Sequence, residues 1–184
     1  MSKRTALYVT VCFLLGVLAW AWEASHYHQY LDLQSLLRTS LWLSGAFWLL
    51  TLLLVRGWWY RPDLESWQRI QRAMVLAFVA ILIVPPLFSA SNRWGTAQWA
   101  RPAAVVFEQE DARYQSRFGS ADIDLKTQAP TQYLLFFYHN NQLCRIGYEE
   151  GPKFADRSRG DTLYLPISPG RWSYAWIPME KLDL

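Results

Sequence analysis

The sequence predicts a membrane α-helical half, with three transmembrane helices, joined to a small C-terminal all-β domain; three observations predict it. First, the runs 5–22, 36–55 and 73–91 carry almost no charge, and each approaches the ~20 apolar residues a helix needs to cross the bilayer core. Second, charge is divided unevenly. Residues 1–92 hold seven basic and four acidic side chains, whereas residues 93–184 hold eleven of each. All the excess positive charge therefore lies in the membrane half, where it bears on topology; a nucleic-acid binder would gather it on one patch. Third, beyond residue 102 short apolar-aromatic runs alternate with turn residues, the pattern of strands. The expected organisation is a membrane domain over 1–92, a juxtamembrane linker over 93–102 and a soluble β domain over 103–184.

The first run follows the basic start Lys3-Arg4. A signal peptide cleaved near Ala19-Trp20-Ala21 has a similar layout, but bulky Trp20 and Trp22 flank that site and favour a retained helix. The loop 23–35 follows, with no Lys or Arg. In the second run Arg38 can snorkel to the interface, and Ser40, Ser44 and Gly45 let another helix approach closely. The connector 56–72 carries Arg56, Arg61, Arg69 and Arg72 against Asp63 and Glu65. Pro62-Asp63 predicts the start of a short interfacial helix, with Leu64, Trp67, Ile70 and Met74 at helical spacing. Pro85 and Pro86 then remove the helical bonds to the carbonyls of Ile81 and Leu82, so a bend or end near Val84 is expected.

Of the eleven Trp, Trp20, Trp22, Trp42, Trp58, Trp59 and Trp94 fall at or near the ends of apolar runs; Trp20, Trp22, Trp58, Trp59 and Trp94 read as membrane-interface residues. No acidic, basic or His residue lies deep in a run, which disfavours an ion path or a haem between helices. The positive-inside rule places the N-terminus and the 56–72 connector in the cytoplasm, and the 23–35 loop and the β domain outside.

In the second half, 103–107 reads as a strand and 108–118 as an exposed helix ending at Gly119. Asp122 and Asp124 are a weak cation candidate, lacking the rest of a calcium loop. The clearest hairpin spans 132–148, because Asn140-Asn141 tolerates the positive φ of a tight turn. The charged loop 151–161 reads as the most mobile element. Strands at 162–167 and 171–177, separated by Ser168-Pro169-Gly170, complete an antiparallel meander that closes a sandwich or barrel. Along the last of these, Trp172, Tyr174 and Trp176 share one face, either core or a platform for glycan or peptide.

Candidate chemistry is sparse. Cys12 and Cys144 fall in different halves, so no disulfide is expected. Glu23, His26, His28 and Asp32 are ligand types for a metal ion, but on a helix they split between two faces. His139 and Cys144 flank the hairpin turn, and Glu149-Glu150 would point to opposite faces of a strand. No phosphate loop, nucleophile elbow or zinc-protease pattern occurs. The expected function is non-enzymatic: an extracytoplasmic β domain with a binding or scaffold role in the envelope, in the bacterial inner membrane by default. Its partners would be the lipid bilayer and an envelope protein or glycan, with no nucleic acid and no cofactor. The alternatives are a membrane-bound enzyme or metal-handling protein using the His26/His28 loop or a pocket of the β domain, and the same architecture with that domain in the cytoplasm.

Overall fold

The computed structural model describes residues 3–114 and 130–182, with the side chains of 3–9 and 12 left aside. Asp122 and Asp124 lie outside the described residues. The chain forms two compact units: Met1–His26 with Leu33–Asn92, and Tyr27–Asp32 with Arg93–Leu184. Tyr27–Asp32, between the first two apolar runs, belongs to the second unit.

The first unit is helical: α1 (Lys3–Ala24), α2 (Leu33–Leu54), the single turn α3 (Arg56–Trp59) and α4 (Ser66–Arg93). Among the described residues, α2 and α4 are long and apolar enough to cross a membrane. Leu36, Ser40 and Ser44 form a buried stripe at every fourth residue of α2. The Ser40 and Ser44 hydroxyls donate to the carbonyls of Leu37 and Ser40, both at 2.8 Å, so these small polar residues do not face a partner with a free donor.

Two expectations fail in α4. The helix starts at Ser66, not at Asp63, and it does not end near Val84 but continues past Pro85 and Pro86 to Arg93. The orphan left by Pro85 is the carbonyl of Ile81, and the indole Nε1–H of Trp20 donates to that carbonyl at 3.3 Å. A neighbouring helix thus supplies the missing donor, which is how prolines are tolerated in apolar helices. The approach is close: a Cβ on Gly16 of α1 would lie 3.1 Å from Leu82 Cβ. Phe13 stacks on Phe78 with centroids 6.0 Å apart. Contacts run from 13/78 through 16/82 and 20/81 to 23/89, so α1 and α4 run parallel.

The second unit contains β1 (Arg101–Arg113), β2 (Gln132–His139), β3 (Gln142–Tyr148) and β4 (Thr162–Ile167). They form one antiparallel sheet in the order β3-β2-β1-β4. This is the 4-1-2-3 order of a Greek key, not a meander, because β4 returns beside β1. The hairpin turn is as expected, with Asn140 and Asn141 at φ of 50° and 60°. The stretch expected as a helix, 108–118, is strand as far as Arg113, since pairing with β2 from Val106 to Arg113 overrides local preference. A register shift between Phe107 and Gln109 sets the remainder of β1 against β2. No second sheet occurs among the described residues.

One face of this sheet is the core: Val105, Phe107, Leu135, Phe137, Ile146, Leu163 and Leu165 are buried there. Its cover comes from two segments distant in sequence. Leu31 and the tail residues Ile177, Met179 and Leu182 pack against the core. The backbone fixes both: Leu31 N–H donates to Ala175 O at 3.1 Å and Ile177 N–H to Gln29 O at 2.9 Å. The expected strand 171–177 does not form; Ser173 has φ of 66° and breaks the extended chain. Only Trp176 makes bridges, to Tyr30 and to Ser168. The stretch 93–100, part of the expected 93–102 linker, is knotted into this unit by Thr96. Its hydroxyl donates to Arg93 O at 2.9 Å and accepts from Trp176 Nε1 at 3.1 Å, while its carbonyl accepts from Ser168 Oγ at 2.7 Å.

Candidate ligand pocket of the β unit

The strand β3 delivers Tyr148 to the edge of the core, where its side chain is only 4% exposed. The ring stacks on Tyr133 with centroids 6.0 Å apart and meets Phe154 edge-on at 6.5 Å. Its hydroxyl is buried and has no hydrogen-bond partner among the described residues. Beyond Tyr148 the chain leaves the sheet, so Glu149 and Glu150 are both exposed and the strand alternation that would separate them no longer applies.

A cavity of about 420 Å³ opens at this point. Its walls are His28 and Gln29 from the α1–α2 loop, Tyr148 to Glu150 at the end of β3, Lys153, and Met179, Glu180 and Leu182 of the tail. The loop between β3 and β4 is tied to β1 by hydrogen bonds and an ion pair. The Glu110 carboxylate accepts from the backbone N–H groups of Lys153 and Phe154 at 3.0 and 3.2 Å. Further along, Arg159 Nη2 pairs with Glu108 at 2.6 Å, and Gly160 N–H donates to Phe107 O at 2.9 Å. Lys153 Nζ sits 3.0 Å from Glu150 Oε2 and 5.7 Å from the Tyr148 ring centroid. Glu149 and Glu180 have no ion-pair partner among the described residues. The pocket thus carries three carboxylates against one paired ammonium, with an imidazole at its edge. Such a surface favours a cationic group.

The four metal-ligand candidates are divided between the units. Glu23 is 1% exposed in α1, where its Oε1 accepts from Ser89 Oγ at 2.6 Å. His26 closes the end of α1, with Nδ1 3.0 Å from Trp22 O and 3.1 Å from Ser25 Oγ. His28 and Asp32 belong to the second unit, and of the four only His28 lines the pocket. Among the described residues no group of three or more His, Cys, Asp or Glu is placed to hold a metal ion.

The aromatic platform is likewise dispersed. Trp172 is 50% exposed, but Trp176 is 6% exposed, with Arg93 5.9 Å from its ring centroid. The turn at Ser173 corrects the expected shared face. Cys144 packs in the core, 3.6 Å from Gln142 O. Burial pushes its thiol above the ordinary value; a backbone hydrogen bond at His139 offsets part of this, and the Asp32 charge adds to it. Sequence reasoning missed Tyr148, Lys153 and Glu180. The signal within reach was the Glu149-Glu150 pair directly after an apolar strand.

No family model matches the chain, and neither a curated protein nor a solved structure is similar to it.

Proposed function

We propose that the chain is a multi-pass membrane protein that crosses three times and displays its β unit on the extracytoplasmic side of a cell membrane, by default the bacterial inner membrane. There the unit binds a basic group of an envelope partner in the pocket at Tyr148, without catalysis. One observation carries the topology: Tyr27–Asp32, between α1 and α2, is built into the same unit as Arg93–Leu184. The chain leaves that unit, passes through two candidate spans and returns, so an even number of crossings separates the two visits. The parallel course of α1 beside α4 supports a third crossing in the direction of α4. The four Arg of 56–72 favour the cytoplasm for the connector, which puts the β unit outside. Glu149 and Glu180, without an ion-pair partner among the described residues, favour a cationic ligand over a neutral glycan.

Fusions after Leu184 test the topology. High alkaline phosphatase activity with a dark fluorescent protein is expected, and the reverse result would mean a cytoplasmic β unit. Binding is tested by titrating the full chain in nanodiscs with Lys- or Arg-containing dipeptides and with Glu-containing controls. A joint Glu149→Gln, Glu180→Gln change is expected to weaken binding of the basic peptides about fivefold, since both carboxylates are exposed and an exposed charge pair contributes roughly 0.2–1 kcal/mol. Equal binding of basic and acidic peptides would sink the reading. Turnover of a bound ligand would favour the enzyme alternative.

A further inference from the structure

The connector between α2 and α4 carries a feature that the pocket of the β unit leaves unused. None of Arg56, Arg61, Arg69 and Arg72 has a carboxylate partner among the described residues, although Asp63 and Glu65 share the connector. The guanidinium groups contact rings and carbonyls instead. Arg56 and Arg69 lie 5.7 and 4.9 Å from the Tyr60 ring centroid. Arg72 lies 5.1 Å from the Trp58 centroid and donates from Nη1 to Trp58 O at 2.6 Å. Arg61 Nε donates to Gly57 O at 3.2 Å and Arg69 Nη2 to Pro62 O at 3.4 Å. The Nε of Arg69 is buried with no partner among the described residues. Ring stacking and carbonyl contacts hold a guanidinium in place but leave its charge unneutralised and most of its five N–H donors open.

Beside these groups a groove of about 520 Å³ is lined by Leu49, Leu52 and Leu53 of α2 and by Arg56, Trp59 and Tyr60. The indole N–H of Trp59 is committed to Leu52 O at 2.7 Å, which fixes its ring against the end of the helix. An apolar wall ending in a guanidinium without a carboxylate partner among the described residues, beside two aromatic rings, matches one chemistry, an acyl chain joined to a phosphate.

We infer that this groove holds an anionic phospholipid, its acyl chain along Leu49, Leu52 and Leu53 and its phosphate at Arg56. A zwitterionic phospholipid brings the same phosphate together with a cationic group that the four unneutralised Arg repel, so the site selects for net negative charge. The inference rests on reading α2 and α4 as membrane spans and is independent of the ligand pocket in the β unit.

The test begins with carbonate extraction of membranes from cells expressing the full chain; release into the supernatant would sink the membrane reading before any lipid is added. The retained protein, purified in a non-ionic detergent, is then titrated with phosphatidylglycerol or with phosphatidylcholine of the same chains, and bound lipid is counted by native mass spectrometry. The anionic lipid is expected to bind at least fivefold tighter. Arg56→Gln is expected to reduce that preference about fivefold, the effect of one basic residue near an anionic surface. Arg171→Gln in the β unit removes the same net charge and is expected to leave the preference intact. Equal binding of the two lipids, equal losses in the two variants, or displacement by inorganic phosphate at matching concentration would each overturn the inference.

Discussion

The hydroxyl of Tyr148 is an unusual atom to bury, because a buried donor without a partner costs about 1–3 kcal/mol. Tyr148→Phe is therefore expected to raise the stability of the β unit by about 1 kcal/mol, read as a higher urea midpoint, while weakening binding in the pocket. An unchanged midpoint would mean that the hydroxyl finds a partner in solution. Cys144 offers a second test at this scale. Its thiol is raised by burial, so the folded state keeps a proton that the unfolded chain loses above pH ~8.5. Stability should then fall as pH rises through that value. Cys144→Ala is expected to remove this part of the slope between urea midpoints at pH 7.5 and 9.5. The sequence placed Cys144 in the hairpin, beside its turn. It could not point to Tyr148, whose meaning depends on a loop and a tail brought to it from 120 residues before and 30 after.

Among the elements, α4 shows how a helix accommodates Pro85. Trp20 donates to Ile81 O, and Trp20→Phe is expected to cost the helical unit about 1 kcal/mol in SDS unfolding. Adding Pro85→Ala returns a backbone N–H to the same carbonyl, so the Trp20 change should cost less in that background. A cost that is the same in both backgrounds would separate Trp20 from the proline. From sequence, Trp20 reads only as an interface residue, because its partner lies 61 positions away. The strands divide in the same manner. The turn at Asn140-Asn141 is local chemistry and was legible. The extension of β1 through Glu108–Arg113 was not, since a polar run becomes strand only when β2 pairs with it. The break at Ser173 escaped notice because serine rarely adopts positive φ, whereas the alternation of aromatics around it is conspicuous.

At the scale of the whole molecule, the β unit is discontinuous. Tyr30 and Leu31 contribute to its buried surface from a loop that reads as an ordinary polar connection. Arg93–Leu184 alone would lose that cover, with each large apolar side chain contributing ~1.5–3 kcal/mol when buried. The fragment is expected to give a poorly dispersed amide spectrum, and fusing residues 25–34 ahead of it through a Gly/Ser linker should restore dispersion. A well-folded fragment without the graft would make Tyr27–Asp32 a passenger. The apolar runs and the charge division made the two-part architecture legible, because both are sums over many residues. Which short stretch crosses from one part to the other is decided by a few backbone hydrogen bonds, and these leave no trace in composition. The consequence is one of timing. Residues 27–32 leave the ribosome early, and the tail segment that clasps them, around 175–177, follows nearly 150 residues later. At ~5–20 residues per second this is a wait of roughly 7–30 s. Throughout that interval the two intervening apolar helices must find their places while one piece of the sheet's cover stands ready and nothing yet exists for it to close.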